Sequence, residues 1–296
     1  MSTIATPAPA PAQVPGHLGE AQIARRETLG QLVRSKTFIV GAFLVFFWVF
    51  WAVAGSRLTP HDPLEQSADV LKGLSASHWF GTDQLGRDVL SRVLAGSADT
   101  LQVAPLATLL GIVGGTTVGL ITGYFLGIVD ETISRVVDAV LALPLIVIAV
   151  TALVALGSSK VTLIIVIGVV FTPIVSRTVR ATVLGERELE YVQAARLRGE
   201  RAPYVMFVEI LPNVFSPIVV EFTVRLAYAI FTVLTLTFLG FGVQPPSPDW
   251  GLDISANYGV VTAGYWWEVL FDALAIASLV VAVTLVSESI EGVLER

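Results

Sequence analysis

The chain has 296 residues, of which 54% are hydrophobic and only 14% charged, and its mean hydropathy is +0.76. Soluble domains carry about a quarter charged residues, so this balance excludes an ordinary soluble fold and implies a polytopic α-helical membrane protein. Net charge is −6, with 15 Arg and three Lys, which leaves no basic footprint for nucleic acid, and the absence of cysteine removes disulfides, thiolate catalysis and thiolate-bound metals.

Residues 1–36 open with an Ala/Pro-rich stretch (Pro7, Pro9, Pro11, Pro15) that lacks the apolar core of a signal peptide, so a disordered tail is expected there. Arg25, Arg26, Arg34 and Lys36 then precede an apolar run at 37–56, a first span of signal-anchor type. The loop at 57–97 carries an amphipathic stretch. Asp83 or Thr82 is expected to cap a short helix there, with Leu85, Val89, Leu90, Val93 and Leu94 on its apolar face. Arg87 and Asp88 are either solvated or contact a partner.

Five further spans follow at about 98–124, 132–156, 161–181, 213–239 and 269–290, each near the ~20 residues needed to cross a bilayer. In the second, Gly111, Gly115, Gly119, Gly123 and Gly127 recur every four residues. Small residues at this spacing form a groove that admits another helix closely. That helix belongs either to the same chain or to a subunit or gating interface. In the fifth span, Glu221 and Arg225 share a helical face and are read as an intramembrane ion pair or a pathway element. Asp272 and Glu288 are expected at the interfaces of the last span. Pro105, Pro144, Pro173 and Pro217 are candidate kinks. The loop at 240–268 holds Trp250, Tyr258, Tyr265, Trp266 and Trp267, read as an interfacial aromatic belt or the mouth of a pathway.

Arginine places the loops. Arg177, Arg180, Arg187, Arg196, Arg198 and Arg201 cluster at 177–203, whereas the loop at 241–268 has neither Arg nor Lys. With six spans, the positive-inside rule puts that cluster and both termini in the cytoplasm. Within 185–203, a helix would align Val192, Ala195 and Gly199 on one small-residue face, suited to lying in a cleft of a soluble partner. Tyr191 and Leu197 would flank it. The other reading is a helix lying on lipid headgroups, although those carry bulky apolar residues opposite basic ones.

Catalytic patterns are missing from the sequence. None of Lys36, Lys72 and Lys160 sits in a Gly-Lys-Ser/Thr phosphate loop, and no zinc-protease or serine-hydrolase motif is present. His17, His61 and His78 do not have ligand spacing, so no metal site is expected. The chain reads as a non-enzyme that binds no cofactor of its own.

Gln193, Ala194, Ala195 and Gly199, with Leu211 and Pro212 ending thirteen residues past that glycine, resemble the EAA loop of ABC importer permeases. Gln193 stands where the motif has Glu, and Glu209 where an aliphatic residue is usual. The run from Gly81 through Thr82, Asp83, Gly86, Arg87 and Asp88 to Arg92 resembles the C-type permeases of dipeptide, oligopeptide and nickel importers, as does the run from Pro245 to Gly251. The resemblance implies the type I ABC importer permease fold of six transmembrane helices with a cytoplasmic coupling helix. Tyr191, Val192, Gln193, Ala194, Ala195, Gly199, Leu211 and Pro212 would form the ATPase-coupling surface. It further implies a heterodimer with a B-type permease in a bacterial cytoplasmic membrane. An extracytoplasmic peptide-binding protein and two ATPase subunits, or one fused ATPase, would complete the complex and use ATP and Mg. The implied cargo is a di- or oligopeptide. A nickel, glutathione or other small-solute importer is the alternative within the family, and an ion-coupled carrier or a membrane scaffold the alternative outside it.

Overall fold

The computed structural model describes residue 32 and residues 34–294; the expected tail and His17 lie outside them. Among the described residues the fold is helical, with one isolated bridge between Thr82 and Asp88 and no strand. Helix α1 (Lys36–Ala54) begins at Ser35, whose hydroxyl accepts from Phe38 N. It buries only Gly41 and Trp48, and leaves Phe43, Phe46, Phe50 and Val53 exposed. A helix apolar all round with one thin packed edge fits a lipid-facing position. Gly41 forms that edge, because a Cβ there would sit 2.9 Å from Ala282 O.

Helix α2 (Val89–Phe125) is 37 residues long, about 55 Å at 1.5 Å per residue, and so exceeds a ~30 Å hydrocarbon core. The expected short amphipathic helix is absent. Asp88, not Asp83 or Thr82, is the N-cap, and the apolar stretch from Val89 continues unbroken into the span. Leu126 and Gly127, at φ 44° and 63°, turn the chain into α3 (Gly127–Leu141) and α4 (Leu145–Leu156). These two replace the single continuous span expected at 132–156, since the chain bends by 87° between them. Pro144 explains the break: it lacks an N–H and disfavours helical backbone at Leu143.

Helix α5 (Lys160–Glu186) runs parallel to α2, and the glycine stripe is their seam. A Cβ on Gly111 would meet Phe171, and those on Gly115, Gly119 and Gly123 would meet Val175, Val179 and Val183 at 2.4–2.7 Å. Backbones this close exchange a side chain for helix–helix dispersion contact. Gly127 is not part of the seam: nothing lies within 4 Å of its Cβ position, and it serves the turn.

A short helix α6 (Glu190–Leu197) leads into a helical segment, residues 202–213, with π-type turns at Val205–Ile210. Then come α7 (Phe215–Phe238), α8 (Trp250–Asn257) and α9 (Trp267–Leu294). Among the described residues, five helices are long and apolar enough to cross a membrane, six if the bent pair counts as one span. The parallel α2/α5 seam gives the bundle two ends. One holds α6; the other holds the 55–88 loop, the start of α2 and α8.

Candidate functional site

At the first end, α6 is anchored rather than loose. Val192 and Ala195 are fully buried in a cluster with Val179, Val183, Val205, Met206 and Ile210. This corrects the expected docking face: the small side chains of Val192 and Ala195 pack onto their own chain. The outward face is Glu190, Gln193, Ala194 and Leu197, with Leu197 89% exposed. The alternation follows from helical period, because any face that seats α6 on the bundle is unavailable to a partner.

Gly199 caps α6. At φ 78° it stands just past the end of α6, donating to Arg196 O at 3.0 Å while Glu200 N donates to Ala195 O at 3.2 Å. This is a Schellman cap, which needs a left-handed residue. Side chains lock the rest. Tyr191 donates to Glu186 Oε1 at 2.7 Å and accepts from Asn213 at 3.2 Å. Burial, then the Glu186 carboxylate, raises its phenol pKa well above the usual value. Arg187 donates to the carbonyls of Gly123 and Tyr124 at 3.3 and 3.1 Å, satisfying the C-terminal end of α2. The Arg196 guanidinium lies 4.7 Å from the centroid of the Tyr124 ring. Gln193 is exposed and donates to Glu188 O, Leu211 is partly buried, and Pro212 is exposed in the last turn of the 202–213 segment. A push on α6 therefore reaches the ends of both α2 and α5 directly.

Glu221 and Arg225 form the expected pair on α7, Arg225 Nε donating to Glu221 Oε1 at 2.6 Å, with the guanidinium 5.3 Å from the centroid of the Tyr228 ring.

The opposite end holds a buried ion network that the sequence concealed. Arg92 donates through Nε to Asp253 Oδ2 at 2.9 Å, through a second nitrogen to Asp253 Oδ1, to Pro63 O at 3.0 Å and to Ser247 O at 3.2 Å. One guanidinium thus joins the 55–88 loop, α2, the Pro245–Pro248 run and α8. Asp83 accepts from Leu85 N, Arg87 N and Arg87 Nε at 2.8, 2.9 and 2.6 Å, so it organises a turn instead of capping a helix. Arg87 and Asp88 are buried, not solvated. Asp99 pairs with Lys160 and accepts from Ser247.

Trp250, expected in an aromatic belt, is instead fully buried, donates to Val93 O at 2.7 Å and meets Trp48 edge to face at 4.9 Å. Asp249 caps α8 by accepting from Leu252 N at 3.0 Å, and burial raises its pKa to about 6. Asp272, expected at an interface, is buried, whereas Glu288 is exposed. The side-chain bonds that join Arg92 to Asp253 and Trp250 to Val93 span more than 150 residues, so the only hint in the sequence was the place of Arg92 and Trp250 in the two signature runs, and Asp253 had none.

A bundle of long apolar helices, with a short surface helix seated on the ends of its closest-packed pair, has the make-up of a membrane-embedded protein. Residues 115–296 match the model of the binding-protein-dependent transport system inner membrane component family, and the chain belongs to that family. It is 35% identical to a dipeptide transport system permease protein of Alkalihalophilus pseudofirmus, over 91% of this chain and 89% of the relative. A di/tripeptide permease of Pseudomonas aeruginosa matches at 32% over 91% of each chain. A glutathione permease of Pectobacterium atrosepticum also matches at 32%, over 91% and 90%. Among solved structures, a chain of an inward-facing methionine ABC transporter aligns with TM-score 0.55 and 19% identity, covering 68% of this chain and 96% of that one, which shows a common fold.

Proposed function

We propose that this chain is one permease of a heterodimeric, ATP-driven importer that carries di- or oligopeptides across a bacterial cytoplasmic membrane. Separate ATPase subunits, or one fused ATPase, bind ATP and Mg and grip the outward face of α6. Closure of the ATPases displaces α6, and because it is pinned to α2 and α5 it moves them as a unit, turning the cavity between the two permeases outward. A binding protein then delivers peptide, and hydrolysis resets the helices. Packed interfaces suit this work because they switch between discrete arrangements instead of deforming smoothly. The carrying observation is α6 itself, buried on Val192 and Ala195 yet open at Gln193, Ala194 and Leu197. The peptide cargo rests on the relatives named for dipeptide and di/tripeptide transport. Glutathione, itself a tripeptide, is the second reading because one relative is named for it.

The test is uptake of a radiolabelled dipeptide into proteoliposomes holding both permeases, ATPase and binding protein, with glutathione as competitor. ATP-dependent uptake that glutathione leaves unchanged is expected. Uptake driven by an ion gradient without ATP would overturn the importer reading, and preferential uptake of glutathione would overturn the cargo.

A further inference from the structure

His61, His78 and Asp88 lie 10 to 27 positions apart in the sequence, yet each offers a ligand atom within 4.8 Å of the other two. We propose that they form a binding site for a divalent first-row transition cation of the zinc class, at the end of the bundle opposite α6. Two imidazoles and one carboxylate are the donors such cations favour, and three protein ligands with an open position describe an accessible zinc site.

The three ligands are held by independent means. Asp88 spends one oxygen on the start of α2, with Oδ2 accepting from Ser91 N and Ser91 Oγ at 2.8 and 2.6 Å. Its other oxygen, Oδ1, faces both rings, 2.9 Å from His78 Nδ1 and 3.7 Å from His61 Nδ1. Backbone bonds to serine hydroxyls fix the ring positions, His61 N to Ser91 Oγ and His78 N to Ser75 Oγ, both at 3.1 Å. The imidazoles sit 4.8 Å apart, centre to centre, at 32°.

One atom in this cluster has no hydrogen-bond partner. His61 Nδ1 is buried and lacks one, although its ring is otherwise 39% exposed. A buried polar atom left unpaired loses its bond to water and gains none in return. A cation between the three groups satisfies that nitrogen, needs both imidazoles neutral, and is reached from the exposed edge of His61. Metal–ligand distances of about 2.0–2.2 Å require only small shifts, His61, the least confined ligand, drawing in and His78 easing away from Asp88. The bound cation would then staple the 55–88 loop to the first turn of α2, independently of which solute is carried.

The experiment uses the intact complex, carrying a tag without histidine, and Zn2+ alone as probe, titrated against a chromophoric chelator. The parent is expected to bind one more Zn2+ per complex than the His61→Ala/His78→Ala double variant. Equal stoichiometry, or no binding by the parent, overturns the site. Should the double variant fail to assemble, X-ray absorption of the parent loaded with one equivalent of Zn2+ decides. Two imidazole nitrogens at about 2.0–2.1 Å support the site, and a shell of oxygens alone refutes it.

Discussion

Arg92 and Asp253 are separated by 161 residues, yet their side chains form a two-pronged ion pair that is 3% and 5% exposed. The pair fastens α8 to the second turn of α2, beside the bond from Trp250 to Val93. Removing one partner of a buried pair leaves the other charge uncompensated, at a cost of about 3–5 kcal/mol. Arg92→Gln is therefore expected to lower the thermal unfolding midpoint of the purified protein sharply, and Arg92→Gln/Asp253→Asn to recover part of the loss. A double variant no more stable than Arg92→Gln would show that Arg92 matters through Pro63 and Ser247 instead.

The α2/α5 seam makes a prediction with an internal control. A Cβ on Gly115 would lie 2.4 Å from Val175 Cβ, too close for either backbone to hold its place. Gly115→Ala is expected to destabilise by about 1–3 kcal/mol, the cost of overpacking, and Val175→Gly in the same chain, which removes the opposing Cβ, to relieve part of it. Gly185, at the end of α5, has nothing within 4 Å of its Cβ position, so Gly185→Ala is expected to be neutral or slightly stabilising. Fluorescence-detected thermal stability in detergent reads all three.

On α6 the two faces separate folding from coupling. Val192→Asp places a carboxylate in a fully buried apolar site and is expected to abolish accumulation in the membrane. Leu197→Asp changes an exposed side chain, so the protein should assemble normally while peptide-stimulated ATPase activity falls. Parent-like coupling in Leu197→Asp would move the docking surface elsewhere.

Gly199 tests the helix cap alone. At φ 78°, Ala is expected to cost about 1–2 kcal/mol of local strain, and Asn less, because Asn tolerates the left-handed region. The expected order of stability is Gly, Asn, Ala, read from hydrogen exchange of the α6 amides. Equal protection in Gly199→Ala and the parent would contradict the strain.

Asp249 gives a pH dependence of definite sign. Burial raises its pKa from 3.8 to about 6 in the fold, so the folded state holds the proton more tightly than the unfolded one. Its contribution to stability is present below about pH 4, is lost as pH rises through 6, and is flat beyond, a change of about 3 kcal/mol. Asp249→Asn keeps a capping oxygen and removes the charge. The variant is expected to be more stable than the parent at pH 7.5 and to show a flatter profile between pH 4 and 6.

Much of the fold was legible because its signals are local. Apolar runs mark helices long enough to span a bilayer and the four-residue glycine period marks a seam, whereas the break at Pro144 was not legible, since Pro105 and Pro173 sit inside unbroken helices. The π-type turns at Val205–Ile210 had no local signal. In the candidate site, the spacing of Gln193, Ala194, Ala195 and Gly199 located α6 but misassigned its faces. Helical period says that Val192 and Ala195 share a side; it does not say whether that side meets the bundle or a partner.

The sequence by itself determined a membrane-embedded helical chain, its family and the position of its short surface helix, since hydropathy, period and motif spacing are properties of neighbours along the chain. Tertiary structure decided the rest. Arg92 found Asp253, Trp250 found Val93, and His61 and His78 converged on Asp88 through contacts between distant segments. Such contacts are selected by the requirement that every charge and polar hydrogen removed from water meet a partner, and that requirement leaves no periodic trace in the residues that meet it.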